Sequence, residues 1–138
     1  MANSVFLDTN GWLALLNTAD VMHERARAKW LDLGSEHYHV VLTQWIVAET
    51  GNGLSRTLAK SHFAEELKRL QSSRNVEILN VNNKLLESSV DLFCQYADKS
   101  WGLVDCASFL VMRERGINQV FTSDSHFEQA GFTRLLAR

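Results

Sequence analysis

The chain has 138 residues, 46% of them hydrophobic and 22% charged, with 14 basic and 16 acidic side chains and a formal net charge of −2. That length predicts a single domain over residues 1–138 with one sizeable core, and the charge excludes nucleic-acid binding by bulk positive charge alone. No stretch approaches the roughly 18 apolar residues of a membrane span. Met1–Asp8 has no basic region and too short an apolar run for a signal peptide. Cys94 and Cys106 make neither a disulfide framework nor a zinc pattern. A cytoplasmic protein with reduced thiols is therefore expected.

In chain order, residues 4–7 form a short apolar run that predicts a buried strand. Residues 10–17 and 21–33 predict helices, the second with Met22, Ala26, Trp30 and Leu33 on one face. Tyr38–Thr43 reads as a second strand. A helix runs from Trp45 to about Leu58, weakened by Gly51 and Gly53. A further helix is predicted from Ser61 to about Ser72, with Ser61 as its cap and Glu65 favouring its dipole. Val76–Val81 is a third strand. Asn83 to about Tyr96 is a helix whose apolar stripe is Leu86, Val90, Phe93 and Cys94. A loop over Asp98–Gly102 leads into a helix over Leu103–Arg115. That helix is apolar nearly all round, hence buried, and Gly116 is its C-cap. Gln119–Thr122 is a fourth strand, Ser125–Glu128 a helical turn and Phe132–Leu136 a short edge strand.

Strands alternating with helices predict a three-layer α/β/α sandwich around a central parallel sheet of four or five strands. Ligand sites in such sheets lie beyond the carboxyl ends of the strands. Asp8 and Asp124 fall at two such ends. Asp105 stands in the first turn of the apolar helix, on a face shared with Ser108, Phe109 and Met112. Glu49 shares a helical face with Asn52, Gly53 and Arg56. Ionised acids are costly to bury unless paired or metal-bound, so four that can converge predict a divalent cation and phosphate chemistry. Simpler roles compete. Asp8 and Asp124 suit helix caps, Ser125 with Glu128 suits a capping box, and Glu49 can pair with Arg56. Asp98 lies in the loop leading to Asp105 and can position it. His126 can contact phosphate, although a surface histidine is the simpler reading. Trp12, Trp45, Trp101 and Phe127 are candidates for stacking on bases, Trp101 foremost, against the commoner role of core residues.

Four segments in this order resemble the PIN-domain ribonucleases: Val5–Asn10, Thr43–Glu49 with Asn52 and Arg56, Asp98–Phe109, and Thr122–Phe127. Within that family the chain is most similar to the single-domain toxins of prokaryotic toxin–antitoxin pairs. The resemblance implies a PIN-like fold and endoribonuclease activity dependent on Mg²⁺ or Mn²⁺. It also implies a homodimer and inhibition by a small antitoxin. Carried over, Asp8, Glu49, Asp105 and Asp124 become the catalytic metal-site acids, with Thr9, Asn10, Ser123 and Asp98 supporting them. Asp8 and Asp105 are expected to touch metal directly, Glu49 and Asp124 through waters or a second ion. One departure stands out. The family often places hydroxyl side chains where this chain has Gly102 and Val104, leaving Ser100 as the nearest substitute.

The reaction expected is hydrolysis of an RNA phosphodiester with a cation-activated water, leaving 5′-phosphate and 3′-hydroxyl ends by resemblance. The alternative is a catalytically silent PIN-like module that only binds protein or RNA. A receiver-like signalling domain fits less well. It needs a second acid beside Asp8, where Thr9 and Asn10 stand, and a lysine after the late strand, where Ser125 stands.

Overall fold

The strand over Ser4–Leu7 (β1) is the centre of the fold, with Val5, Phe6 and Leu7 fully buried. The computed structural model describes residues 3–137. The helices α1 (Thr9–Leu16) and α2 (His23–Ser35) lead to β2 (His39–Thr43). Next come α3 (Gln44–Gly53), a 3-10 turn over Leu58–His62, α4 (Phe63–Ser72) and β3 (Val76–Leu79). The chain continues through α5 (Asn83–Gln95), α6 (Leu103–Arg115), β4 (Gln119–Phe121), α7 (Ser125–Gln129) and β5 (Thr133–Arg134). All pairings are parallel, and the five-stranded sheet has the order β3-β2-β1-β4-β5.

That order reverses at β1. The chain first moves one way, to β2 and β3, and then returns to place β4 on the other side of β1. Right-handed crossovers put α1–α4 on one face and α5–α6 on the other. The contacts follow this division: α1 packs on α2 and α3, while α5 packs on α6. The reversal leaves a crevice between the carboxyl ends of β1 and β4. In register, Phe6 pairs with Val120 and Leu7 with Phe121, so Asp8 and Thr122 follow side by side.

The parallel α/β/α architecture and most elements agree with the sequence reading. The predicted apolar face of α2 is inward, with Met22, Ala26 and Leu33 buried. Gly116 caps α6 at φ 66°, a left-handed conformation suited to glycine. Three expectations are corrected. First, α3 stops at Gly53, five residues earlier than predicted. Two glycines in its last turn withdraw helix propensity, and the backbone then tightens into the 3-10 turn. Second, Ser61 does not cap α4. Its hydroxyl donates to Leu58 O within the 3-10 turn, and His62 takes the cap position.

The third correction concerns α5. Its buried residues are Ser89 and Leu92, while the predicted stripe of Leu86, Val90 and Phe93 is 38–45% exposed and Cys94 is exposed. Ser89 donates to Leu85 O, which satisfies its hydroxyl inside the helix. The small, self-satisfied Ser89 permits close packing on α6. Periodicity finds an apolar stripe but cannot say whether it meets this chain or another. Among the described residues no helix is long and apolar enough to cross a membrane.

The α1 start is held tightly against β4. A Cβ on Gly11 would lie 2.1 Å from the carbonyl oxygen of Phe121, a backbone atom that cannot swing aside. Gly11→Ala is predicted to destabilise the protein by about 1–3 kcal/mol through overpacking. Urea denaturation against wild type measures this; an unchanged midpoint would show that α1 and β4 can separate freely.

Candidate metal centre

Asp8 is 3% exposed and stands at the N-cap position of α1. It makes no side-chain cap bond. Instead Oδ2 accepts a hydrogen bond from the Thr122 hydroxyl at 2.8 Å. Burial pushes the Asp8 pKa up to about 7, and the neighbouring charges of Asp105 and Asp124 push the same way. The Thr122 hydrogen bond opposes the rise. Thr122, fully buried, was not singled out from sequence. Its signal was the parallel register, which is invisible before the sheet order is known.

Asn10 binds the two loops together. Its Oδ1 accepts from the Ser123 backbone N–H at 2.8 Å and the Ser123 hydroxyl at 3.0 Å, with Thr122 Oγ1 at 3.1 Å. The backbone donor fixes which end of the amide faces the loop. Asn10 and Ser123 thus hold the β1–α1 and β4–α7 connections together. From outside, Arg134 Nη1 donates to Ser123 O at 2.7 Å while Glu128 accepts from the same guanidinium.

Asp124 does cap α7, accepting from His126 N at 2.9 Å through Oδ1. Capping and a site role coexist. The same arrangement brings His126 between two acids. Its Nδ1 lies 3.2 Å from Asp105 Oδ2 and 3.4 Å from Asp124 Oδ1. Each of the three side chains offers one ligand atom, and these atoms lie within 4.8 Å of one another. His126 is therefore a half-buried member of the site, not a surface histidine.

Asp105 accepts from Gly102 N at 2.9 Å. Gly102 has no side chain to return the bond, so only half of a capping box exists. Burial raises the Asp105 pKa, with the Gly102 hydrogen bond opposing. Ser100 substitutes for the missing hydroxyls indirectly: its Oγ lies 3.0 Å from His126 Nε2, and His126 meets Asp105 through its other nitrogen.

Glu49 is exposed on α3 and lies outside the close trio. It accepts a short hydrogen bond from the Thr9 hydroxyl, so the residue next to Asp8 draws it to the edge of the crevice. The ion pairs found among the described residues do not include one between Glu49 and Arg56. Asp98 is exposed in the loop before α6 and contributes none of the side-chain hydrogen bonds described. Trp101 is buried, packs edge-on against Phe109 at 5.0 Å and donates Nε1–H to Gln129 at 3.0 Å. Phe127 is buried against Phe109. These two rings floor the site and present no face to a base.

The donor set suits a divalent cation. Carboxylate oxygens serve hard cations, and imidazole extends the range toward transition metals. Asp8 and Asp105 are both held above the usual carboxylate range, and a cation removes that penalty.

A second concavity, a groove of about 610 Å³, lies away from the acids and includes Trp12, Trp30, Tyr38 and Leu70, with Arg27 and Arg69.

The PIN domain family model matches residues 5–133, and the chain belongs to that family. The chain is also similar to the 23S rRNA-specific endonuclease VapC20 of Mycobacterium tuberculosis, represented by two strains, at 28% identity over 131 residues. That match covers 95% of this chain and 97% of the relative. The crystal structure of M. tuberculosis VapC20, described as a sarcin-ricin loop cleaving toxin, superposes with a TM-score of 0.82 at 28% identity, covering 94% of this chain and 96% of that one. FitAcB from Neisseria gonorrhoeae shares the fold at a TM-score of 0.61 and 22% identity, with 94% of each chain covered.

The Asp8 environment sets a pH dependence. A carboxyl whose folded pKa is raised favours the folded state only while it stays protonated. The metal-free protein should therefore lose stability from about pH 4, the unfolded pKa, to about pH 7, the folded one, by an order of a few kcal/mol. Asp8→Asn should flatten this slope and stabilise the metal-free protein at pH 8. Thermal melts with EDTA at pH 5 and pH 8 check it; an equal slope in both proteins would place the cost elsewhere.

Proposed function

We propose that this protein is a divalent-cation-dependent endoribonuclease of the toxin class, acting in the cytoplasm on a loop of 23S rRNA. One observation carries the reading: Asp105, Asp124 and His126 offer ligand atoms within 4.8 Å of one another at the β1/β4 crevice, with Asp8 buried within reach of the Asp105 and Asp124 charges. The substrate rests on similarity to VapC20, the 23S rRNA-specific endonuclease. Mg²⁺ and Mn²⁺ are the ions this donor set favours. A bound cation supplies an acidified water and neutralises charge developing on the phosphate.

The chain's own groups do the positioning. Thr122 aims Asp8 into the crevice, Asn10 fixes the loop that presents Asp124, and Thr9 holds Glu49 at the margin. Asp8, Glu49, Asp105 and Asp124 form the acidic set, with Thr9, Asn10 and Ser123 in support. The catalytically silent alternative drew on the hydroxyls missing at Gly102 and Val104. It loses ground because Gly102 N–H and the Ser100–His126 pair hold Asp105 without them.

A small antitoxin is the protein partner expected of a toxin of this class, and the groove beside Trp12 and Trp30, apolar with a charged rim, suits an amphipathic segment. The exposed Leu86, Val90 and Phe93 stripe suits a second copy of the chain.

Purified protein incubated with 23S rRNA and Mn²⁺ or Mg²⁺ should yield discrete fragments, absent with EDTA. Asp105→Asn should cut the rate at least about 100-fold, since it exchanges a charged carboxylate for a neutral amide where even supporting groups count for tenfold or more. Fragments that persist in EDTA or in Asp105→Asn would overturn the metal-nuclease reading. Separately, Phe93→Glu should convert a dimer into a monomer on gel filtration; an unaltered elution volume would remove α5 from the interface.

A further inference from the structure

We propose that His126 is a direct metal ligand, so that this centre is a mixed nitrogen–oxygen site and not an all-carboxylate one. The inference rests on the metal-nuclease reading above and deepens it.

His126 Nδ1 faces Asp105 Oδ2 at 3.2 Å and Asp124 Oδ1 at 3.4 Å. Ligand atoms about 2.1 Å from one ion stand roughly 3.0–3.4 Å apart, depending on geometry. The imidazole nitrogen therefore already stands at ligand spacing from both acid oxygens, and all three atoms lie within 4.8 Å of one another. The imidazole did not arrive there by chance of a mobile surface chain. Its backbone N–H is held by Asp124 Oδ1 at 2.9 Å, and its Nε2 is met by Ser100 Oγ at 3.0 Å. Metal-ligating imidazoles characteristically donate their second ring N–H to an oxygen, which fixes both tautomer and orientation. Ser100 Oγ is placed to accept from Nε2–H, leaving the Nδ1 lone pair for the ion.

Electrostatics exclude one arrangement. A bare Nδ1 lone pair pointing at two carboxylates is repulsive, so the point among the three atoms must be filled by positive charge. A divalent cation there also answers Asp8, which is buried within reach of the charges of Asp105 and Asp124.

A nitrogen donor makes a prediction that carboxylates alone do not. Mg²⁺ demands oxygen ligands, whereas imidazole binds transition metals readily. The wild-type protein should hold Mn²⁺ more tightly than Mg²⁺, and His126→Gln should narrow that preference. In His126→Gln the Mn²⁺ affinity should fall at least tenfold by calorimetry, with a smaller change for Mg²⁺. Ser100→Ala should weaken Mn²⁺ binding while retaining the nitrogen.

The decisive experiment is electron spin-echo envelope modulation on the Mn²⁺-loaded protein, which reads ¹⁴N bound to the ion without any nuclease assay. Wild type should show the imidazole nitrogen, and His126→Gln should lose it. A Mn²⁺-loaded wild type with no ¹⁴N modulation would overturn the ligand assignment while leaving an all-oxygen nuclease site intact. Modulation that survives in folded His126→Gln would likewise overturn it. Failure of the wild type to bind Mn²⁺ at all would sink this inference and the metal-nuclease reading together.

Discussion

A carboxylate sits at the end of the central strand with 3% exposure and one hydroxyl to answer it, and the site is organised around that burden. Transferring an ionised acid out of water costs many kcal/mol unless its charge is met. Burial and the two neighbouring acids outweigh the Thr122 hydroxyl and the Thr9 backbone N–H, so the Asp8 pKa is pushed up to about 7. Natural cores avoid such a group unless something else offsets it. The loops converge here, and the charge they leave unmet is what a cation would answer.

The parallel sheet makes this convergence unavoidable once the strand order is set. Every strand points its carboxyl end the same way, so each following loop opens on one edge. Placing β4 next to β1 brings Thr122 beside Asp8. The Arg134–Ser123 contact then ties the edge strand β5 to the loop that carries Asp124. Underneath, Trp101, Phe109 and Phe127 stack edge-to-face with centroids 5.0 Å apart. Close packing of this kind leaves little room for rotamer change. Rigid rings below and hydrogen bonds above hold the acidic side chains in place.

The hydroxyl side chains expected at Gly102 and Val104 are absent, and other donors hold Asp105. A side-chain hydroxyl at the α6 cap is replaced by the Gly102 N–H, which reaches Asp105 directly. A second support arrives from 21 residues away, through His126, itself steadied by Ser100. Support has moved from a local motif to a tertiary one. A motif comparison sees only the missing hydroxyls.

Much of this protein was legible in one sequence. Short apolar runs, helical periodicity and the glycine after α6 determined the elements and the α/β class, because these signals are local and follow from backbone geometry. An acid after each of two predicted strands places Asp8 and Asp124 at the carboxyl edge of the sheet. Tertiary structure alone decided the rest. The Thr122–Asp8 bond spans 114 positions and depends on strand order. The place of His126 depends on α6 and α7 meeting, and the outward turn of Leu86, Val90 and Phe93 on which α5 face α6 accepts. Sequence patterns record what a residue is next to along the chain, whereas charge, hydrogen bonding and burial act through space.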